Sequence, residues 1–125
     1  IMQQEGKSAP GLLIDIFTSQ LKTFASKPSI VSVIFSEGIF QFNKELMKKV
    51  SAMMEIMQNQ IEMIVKKGQQ EGTFTTFSGS ATLTTIIMGS MRMTVMKWKV
   101  FGRKSDLIKE GNKVLNGVLK MIEKK

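Results

Sequence analysis

Residues 83–101 read LTTIIMGSMRMTVMKWKVF. Three structures could carry such a stretch: a membrane span, a buried strand, or a helix that something else must cover. Apolar residues return at Leu83, Ile86, Ile87, Met91, Val95, Trp98 and Phe101, close to a helical period. Arg92 in the middle, Lys97 and Lys99 behind it, and Thr82, Thr84, Thr85, Ser90 and Thr94 throughout argue against a membrane span. A central Arg alone costs about 2.5 kcal/mol or more on insertion. The stretch is also too long and too poorly alternating for a strand. It reads as a helix apolar over more than one face, expected to be buried on two sides.

Working outward, Gly102 closes this helix and Ser105-Asp106 opens the last one, whose stripe is Leu107, Ile108, Gly111, Val114, Leu115, Val118, Leu119 and Ile122. The two make an antiparallel hairpin with more apolar surface than so short a chain can cover, and a second copy of the chain is its natural sink. Upstream, TFTTFSGS (73–80) is a connection, since an isolated strand would have no partner, and Ser80 is a candidate cap. Before it lies a long helix over about 44–67, with Asn43 as candidate cap and KKGQQEG as its stop. Its stripe runs through Leu46, Met47, Val50, Met53, Met54, Met57 and Ile61. Two further helices precede it. One covers about 11–25 with Leu13, Ile16, Phe17, Leu21 and Phe24 on one face. The other is led by Pro28 and carries Ile30, Val31, Ile34, Phe35, Ile39 and Phe42, with Gly38 as a weak point. The class is all-α, five to six helices in an orthogonal bundle ending in the hairpin.

Composition narrows the function. The chain has 125 residues, one domain's worth, and lacks His, Cys and Tyr. Triads built on His or Cys, zinc sites with N or S ligands, and disulfides are thereby removed, and an enzyme is disfavoured. Residues 1–62 are neutral on balance, with six Lys against six acidic residues. Residues 63–125 hold twelve Lys/Arg and four Asp/Glu, and so carry the whole net charge of +8. A basic half either attracts an anionic partner or is simply a solvated surface. The chain begins with Ile1 and shows no signal-peptide pattern, so a preceding segment is expected.

The order of these pieces carries a resemblance. A Pro28-led helix, a long helix ending in KKGQQEGTF, then IIMGSMRMTVMKWKVFGRKSDLIKEG and a final amphipathic helix together resemble the C-terminal domain of TetR-type (tetracycline-repressor-like) transcriptional regulators. The residues that carry it are Gly68, Gly72, Gly89 and Trp98, with Asp106, Leu107 and Ile108 opening the closing helix. The likeness runs from about Pro10 onward. It implies a ligand-binding and dimerisation domain over 1–125, and a missing N-terminal helix-turn-helix domain to which residues 1–7 would be the connecting helix. The implied partners are a second copy of the chain, an apolar small-molecule effector and, through the missing domain only, DNA. No membrane and no cofactor are implied, and the implied location is cytoplasmic.

Eleven methionines are the sharpest hint, with Met53, Met54 and Met57 together on one helix. Thioethers either fill a core or line a pocket for varied apolar ligands. Placing the ligand where the family does makes Phe17, Phe35, Met54, Met57, Met88 and Met91 the pocket candidates. Glu55 and Glu62 could pair a cationic ligand or be solvated. Arg92 could hold an acidic ligand, pair across a dimer or reach out to water. The dimer candidates are Val95, Trp98, Val114, Leu115, Val118 and Leu119, with ordinary core as the alternative for Trp98. Competing readings are a carrier of hydrophobic small molecules and a membrane-surface protein using the basic half.

Overall fold

A computed structural model describes residues 7–27, 29, 31 and 44–124. Among them the chain is all-α, with four helices: α1 (Ala9–Ser26), α2 (Lys44–Gln70), α3 (Ser80–Val100) and α4 (Leu107–Ile122). Of the expected Pro28-led helix only Ser29 and Val31 are described, both helical and Val31 buried, while Phe35, Gly38 and the proposed cap Asn43 lie outside the described residues. None of the described helices is long and apolar enough to cross a membrane.

Local chemistry sets each boundary. Ser8 caps α1, its hydroxyl accepting from the Gly11 N–H at 3.2 Å, and Pro10 occupies the first turn, where its missing N–H is harmless. Lys7 and Ser8 are not helical, and residues 1–6 of the expected connecting helix lie outside the described residues. Lys27, the residue before Pro28, leaves the helical region and ends α1. At 27 residues α2 is about 40 Å long. Its end has the double hydrogen bond of a left-handed glycine cap: Thr73 N–H donates to the Gly68 carbonyl and Gly72 N–H to that of Gln69, with Gly72 at φ 81°. The same arrangement closes α3, through Gly102 at φ 84° and the bond from Arg103 N–H to the Trp98 carbonyl. Asp106 caps α4 by accepting from the Lys109 N–H at 3.1 Å.

Two expectations at the α2–α3 connection need correction. The cap of α3 is Gly79, not Ser80, whose hydroxyl donates instead to Glu62 Oε2 at 3.1 Å. The loop also has a partner. Thr75 N–H donates to the Ile122 carbonyl at 2.7 Å and Lys124 N–H to the Thr73 carbonyl at 2.8 Å, forming one antiparallel bridge between Phe74 and Glu123. The Gln69 amide holds the rest of the loop, donating to the carbonyls of Thr75 and Ser78 at 3.1 and 2.9 Å.

The helices close a ring in which α1 packs on α2 and α4, α2 on α3, and α3 on α4. The core is Leu12, Leu13, Phe17 and Leu21 of α1, Ile61, Ile64 and Val65 of α2, Ile87 and Val95 of α3, and Leu115 of α4. Two close approaches need glycine. A Cβ on Gly68 would stand 2.2 Å from the Phe74 ring, and one on Gly111 would stand 2.2 Å from Leu21 Cδ1.

The fold also shows how a serine- and threonine-rich helix enters a core. Thr84 and Thr94, both buried, donate their hydroxyls to the carbonyls of Ser80 and Ser90 at 2.7 Å. The polar groups of α3 are spent on its own backbone, which leaves its buried face apolar to its neighbours. Burial falls on one side only. Leu83, Ile87, Met91, Val95 and Trp98 face the core, while Ile86, Met93, Val100 and Phe101 remain exposed.

Candidate functional site

A cavity of ≈ 300 Å³ lies between the C-terminal half of α1, the N-terminal half of α2 and the middle of α3. Its volume falls in the range of about 300–1,000 Å³ usual for small-molecule sites. Helical spacing explains the lining. Val50, Met53, Met54, Met57 and Gln58 recur at three- and four-residue steps on α2, and Thr85, Met88, Gly89, Met91 and Arg92 do the same on α3. Gln20 and Phe24 complete it from the last turns of α1. The wall is thus mostly thioether and aromatic, with one guanidinium, two amides and one hydroxyl as polar groups. A Cβ on Gly89 would meet nothing within 4 Å, so this residue leaves open the space that a side chain would fill.

Two wider depressions are different in kind. One, of ≈ 770 Å³, follows the polar face of α1 past Asp15, Thr18, Ser19 and Lys22. The other, of ≈ 670 Å³, opens beside the α3–α4 turn, with Lys97, Glu110 and Lys113 around Trp98, Phe101 and Val114. Charged and hydroxyl side chains make both poor hosts for an apolar molecule. Among the described residues no group of three or more acidic, His or Cys side chains is placed to hold a metal.

A family model for the C-terminal region of YsiA-like proteins, one of the TetR C-terminal families, matches residues 3–122. The chain belongs to this TetR family. A crystal structure of the Bacillus subtilis transcriptional regulator FadR in complex with stearoyl-CoA superimposes with a TM-score of 0.79 at 21% identity. The superposition covers 95% of this chain but 63% of that one, so the chain spans under two thirds of that regulator's length. At this identity the likeness is one of fold. No curated protein sequence matches the chain.

The TetR-type region gathers some of the expected residues and separates others. Met54, Met57, Met88 and Met91 come together on the cavity wall. Phe17 is placed elsewhere: at 1% exposure it is a core residue where the four helices close, two turns before Phe24 on the same face of α1. Phe35 lies outside the described residues. The wall also includes Gln20, Val50, Gln58, Thr85 and Gly89, which sequence reasoning missed; the period that points to Met54 and Met57 also points to Val50 and Gln58. Glu62 is engaged by Ser80 and by Lys66 at 3.5 Å, and neither it nor Glu55 is part of the lining.

On the hairpin face of the TetR-type region, Val95 and Leu115 are 0% exposed within the chain itself and have no surface to offer a partner. Trp98, Val118 and Leu119 are also buried, and Val114 is 38% exposed. Trp98 is fixed inside the chain, its Nε1–H donating to the Ser105 carbonyl at 3.0 Å with the Arg103 guanidinium 5.8 Å from its ring centroid. The outward stripe consists of Ile86, Met93 and Val100 on α3, spaced by seven, with Val114 and Met121 on α4 at the same interval.

Proposed function

We propose that this chain is the effector-binding and dimerisation region of a TetR-type transcriptional regulator, and that its effector carries a long apolar chain and an anionic end. The observation that supports this most is the cavity between α1, α2 and α3, where five methionines and Phe24 form an apolar wall and Arg92 supplies a cation. Flexible thioethers adapt to an alkyl chain without demanding one shape. The guanidinium provides planar donors for carboxylate or phosphate. The Bacillus subtilis FadR complex with stearoyl-CoA, a molecule of this kind on the same fold, supports the same ligand class.

The regulatory step follows from linkage. An effector held in the cavity changes DNA affinity only through unequal affinity for two arrangements of DNA-binding domains that precede this region. Two copies joined through the exposed stripes of α3 and α4 would set the spacing of those domains, as half-site geometry requires. The protein would then be a cytoplasmic homodimer touching DNA through its N-terminal domain.

The test is titration of the 125-residue chain with stearoyl-CoA by calorimetry, against coenzyme A alone as control. Saturable binding of the acylated molecule and none of the bare coenzyme supports the reading. Equal binding of both, or of neither, overturns it.

A further inference from the structure

Sulfur in this chain is thioether only, with eleven methionines and no cysteine, and five of the eleven surround one cavity. Met53, Met54 and Met57 approach from α2, Met88 and Met91 from α3. They are not equally protected. Met91 is 7% exposed, whereas Met53 and Met54 are 53% and 46% exposed at the cavity wall. Met53 and Met54 are thus the exposed thioethers of the cavity wall, and no thiol competes with them.

We infer that Met53 and Met54 form an oxidant-sensitive site, through which peroxides empty the effector cavity. The reaction is an oxygen-atom transfer. The thioether sulfur attacks the terminal oxygen of a hydroperoxide, the O–O bond breaks, an S–O bond forms, and water or the corresponding alcohol leaves after proton transfer. Sulfur gives up two electrons and the peroxide takes them. The product sulfoxide is a strong dipole with an acceptor oxygen, placed where the wall was apolar. Donors to satisfy it within the wall are few: Arg92, Gln20, Gln58 and Thr85. An alkyl chain would lose its apolar contacts or bury an unsatisfied acceptor, and either weakens binding. The step is reversible, because a sulfoxide reductase returns the thioether and water at the expense of a dithiol.

This inference rests on the effector reading above, and the experiment separates the two. Binding of dansylundecanoate, a fluorescent fatty acid, is measured on the 125-residue chain before and after hydrogen peroxide. Peptide mass spectrometry locates the added oxygens and circular dichroism follows helicity. We expect sulfoxide at Met53 and Met54, unchanged helicity, and affinity at least about tenfold weaker, recovered with a sulfoxide reductase and dithiothreitol. The Met53→Leu/Met54→Leu variant is expected to keep its own starting affinity after peroxide, whatever that affinity is, although Met47, Met63, Met93 and Met121 remain exposed in it. Undiminished affinity in a parent oxidised at both positions overturns the inference, as does an equal loss in the double variant or a loss of helicity in step with binding. Failure of the unoxidised parent to bind the probe overturns the effector reading and this inference with it.

Discussion

Glycines that look alike in the sequence have opposite roles. Gly68 and Gly111 exist because another side chain occupies the place of their Cβ, Phe74 in one case and Leu21 in the other. Gly68→Ala is expected to cost about 1–3 kcal/mol, read as a fall in the urea midpoint at unchanged slope, because the buried Phe74 ring has nowhere to retreat. Gly89 has open space instead. Gly89→Ala is expected to stabilise by about 0.5–1 kcal/mol, the helix-propensity gain, while Gly89→Phe fills the cavity and removes fatty-acid binding with the fold intact. A stabilised Gly89→Phe protein that still binds would place the ligand elsewhere. All three glycines stand in helical segments of the sequence, and nothing local distinguishes them. The difference lies in residues six to ninety positions away.

At the scale of elements, what the sequence shows and what it hides divide by range. Helix periods and caps are local, so the extents of α1, α2 and α3, the glycine stops at 72 and 102, and the Asp106 cap were legible. Asp106→Ala is expected to cost about 1 kcal/mol by thermal melting, since it strips the acceptor from the Lys109 N–H. The bridge between Phe74 and Glu123 was not legible, for it joins single residues of two loops with no periodicity to reveal it. The same limit explains Phe17. Its stripe is right, but a helical period gives the face of a residue and not its depth along the axis, and depth separates Phe17 in the core from Phe24 at the cavity. The methionines were legible as a group because three of them share one face of α2.

For the whole molecule, the ring of four helices buries one face of α3 and leaves the other outside. The excess apolar surface expected of residues 83–122 is therefore present, but it is carried by Ile86, Met93, Val100, Phe101, Val114 and Met121. If two copies join there, Met93→Asp/Met121→Asp is expected to sediment as a lone protomer with parental helicity, where the parent sediments as a dimer. A dimer that survives both charges must use another face.

The cavity itself is open to a direct reading, since its wall carries its own reporters. With methyl-labelled methionine, each of the eleven thioether methyls gives one carbon–proton resonance, assignable by single Met→Leu replacements. On addition of stearoyl-CoA, the resonances of Met53, Met54, Met57, Met88 and Met91 should move together and saturate, while those of Met63 and Met121, exposed and away from the wall, should stay in place. Shifts confined to Met63, Met93 or Met121, or none among the five, would contradict an effector site between α1, α2 and α3.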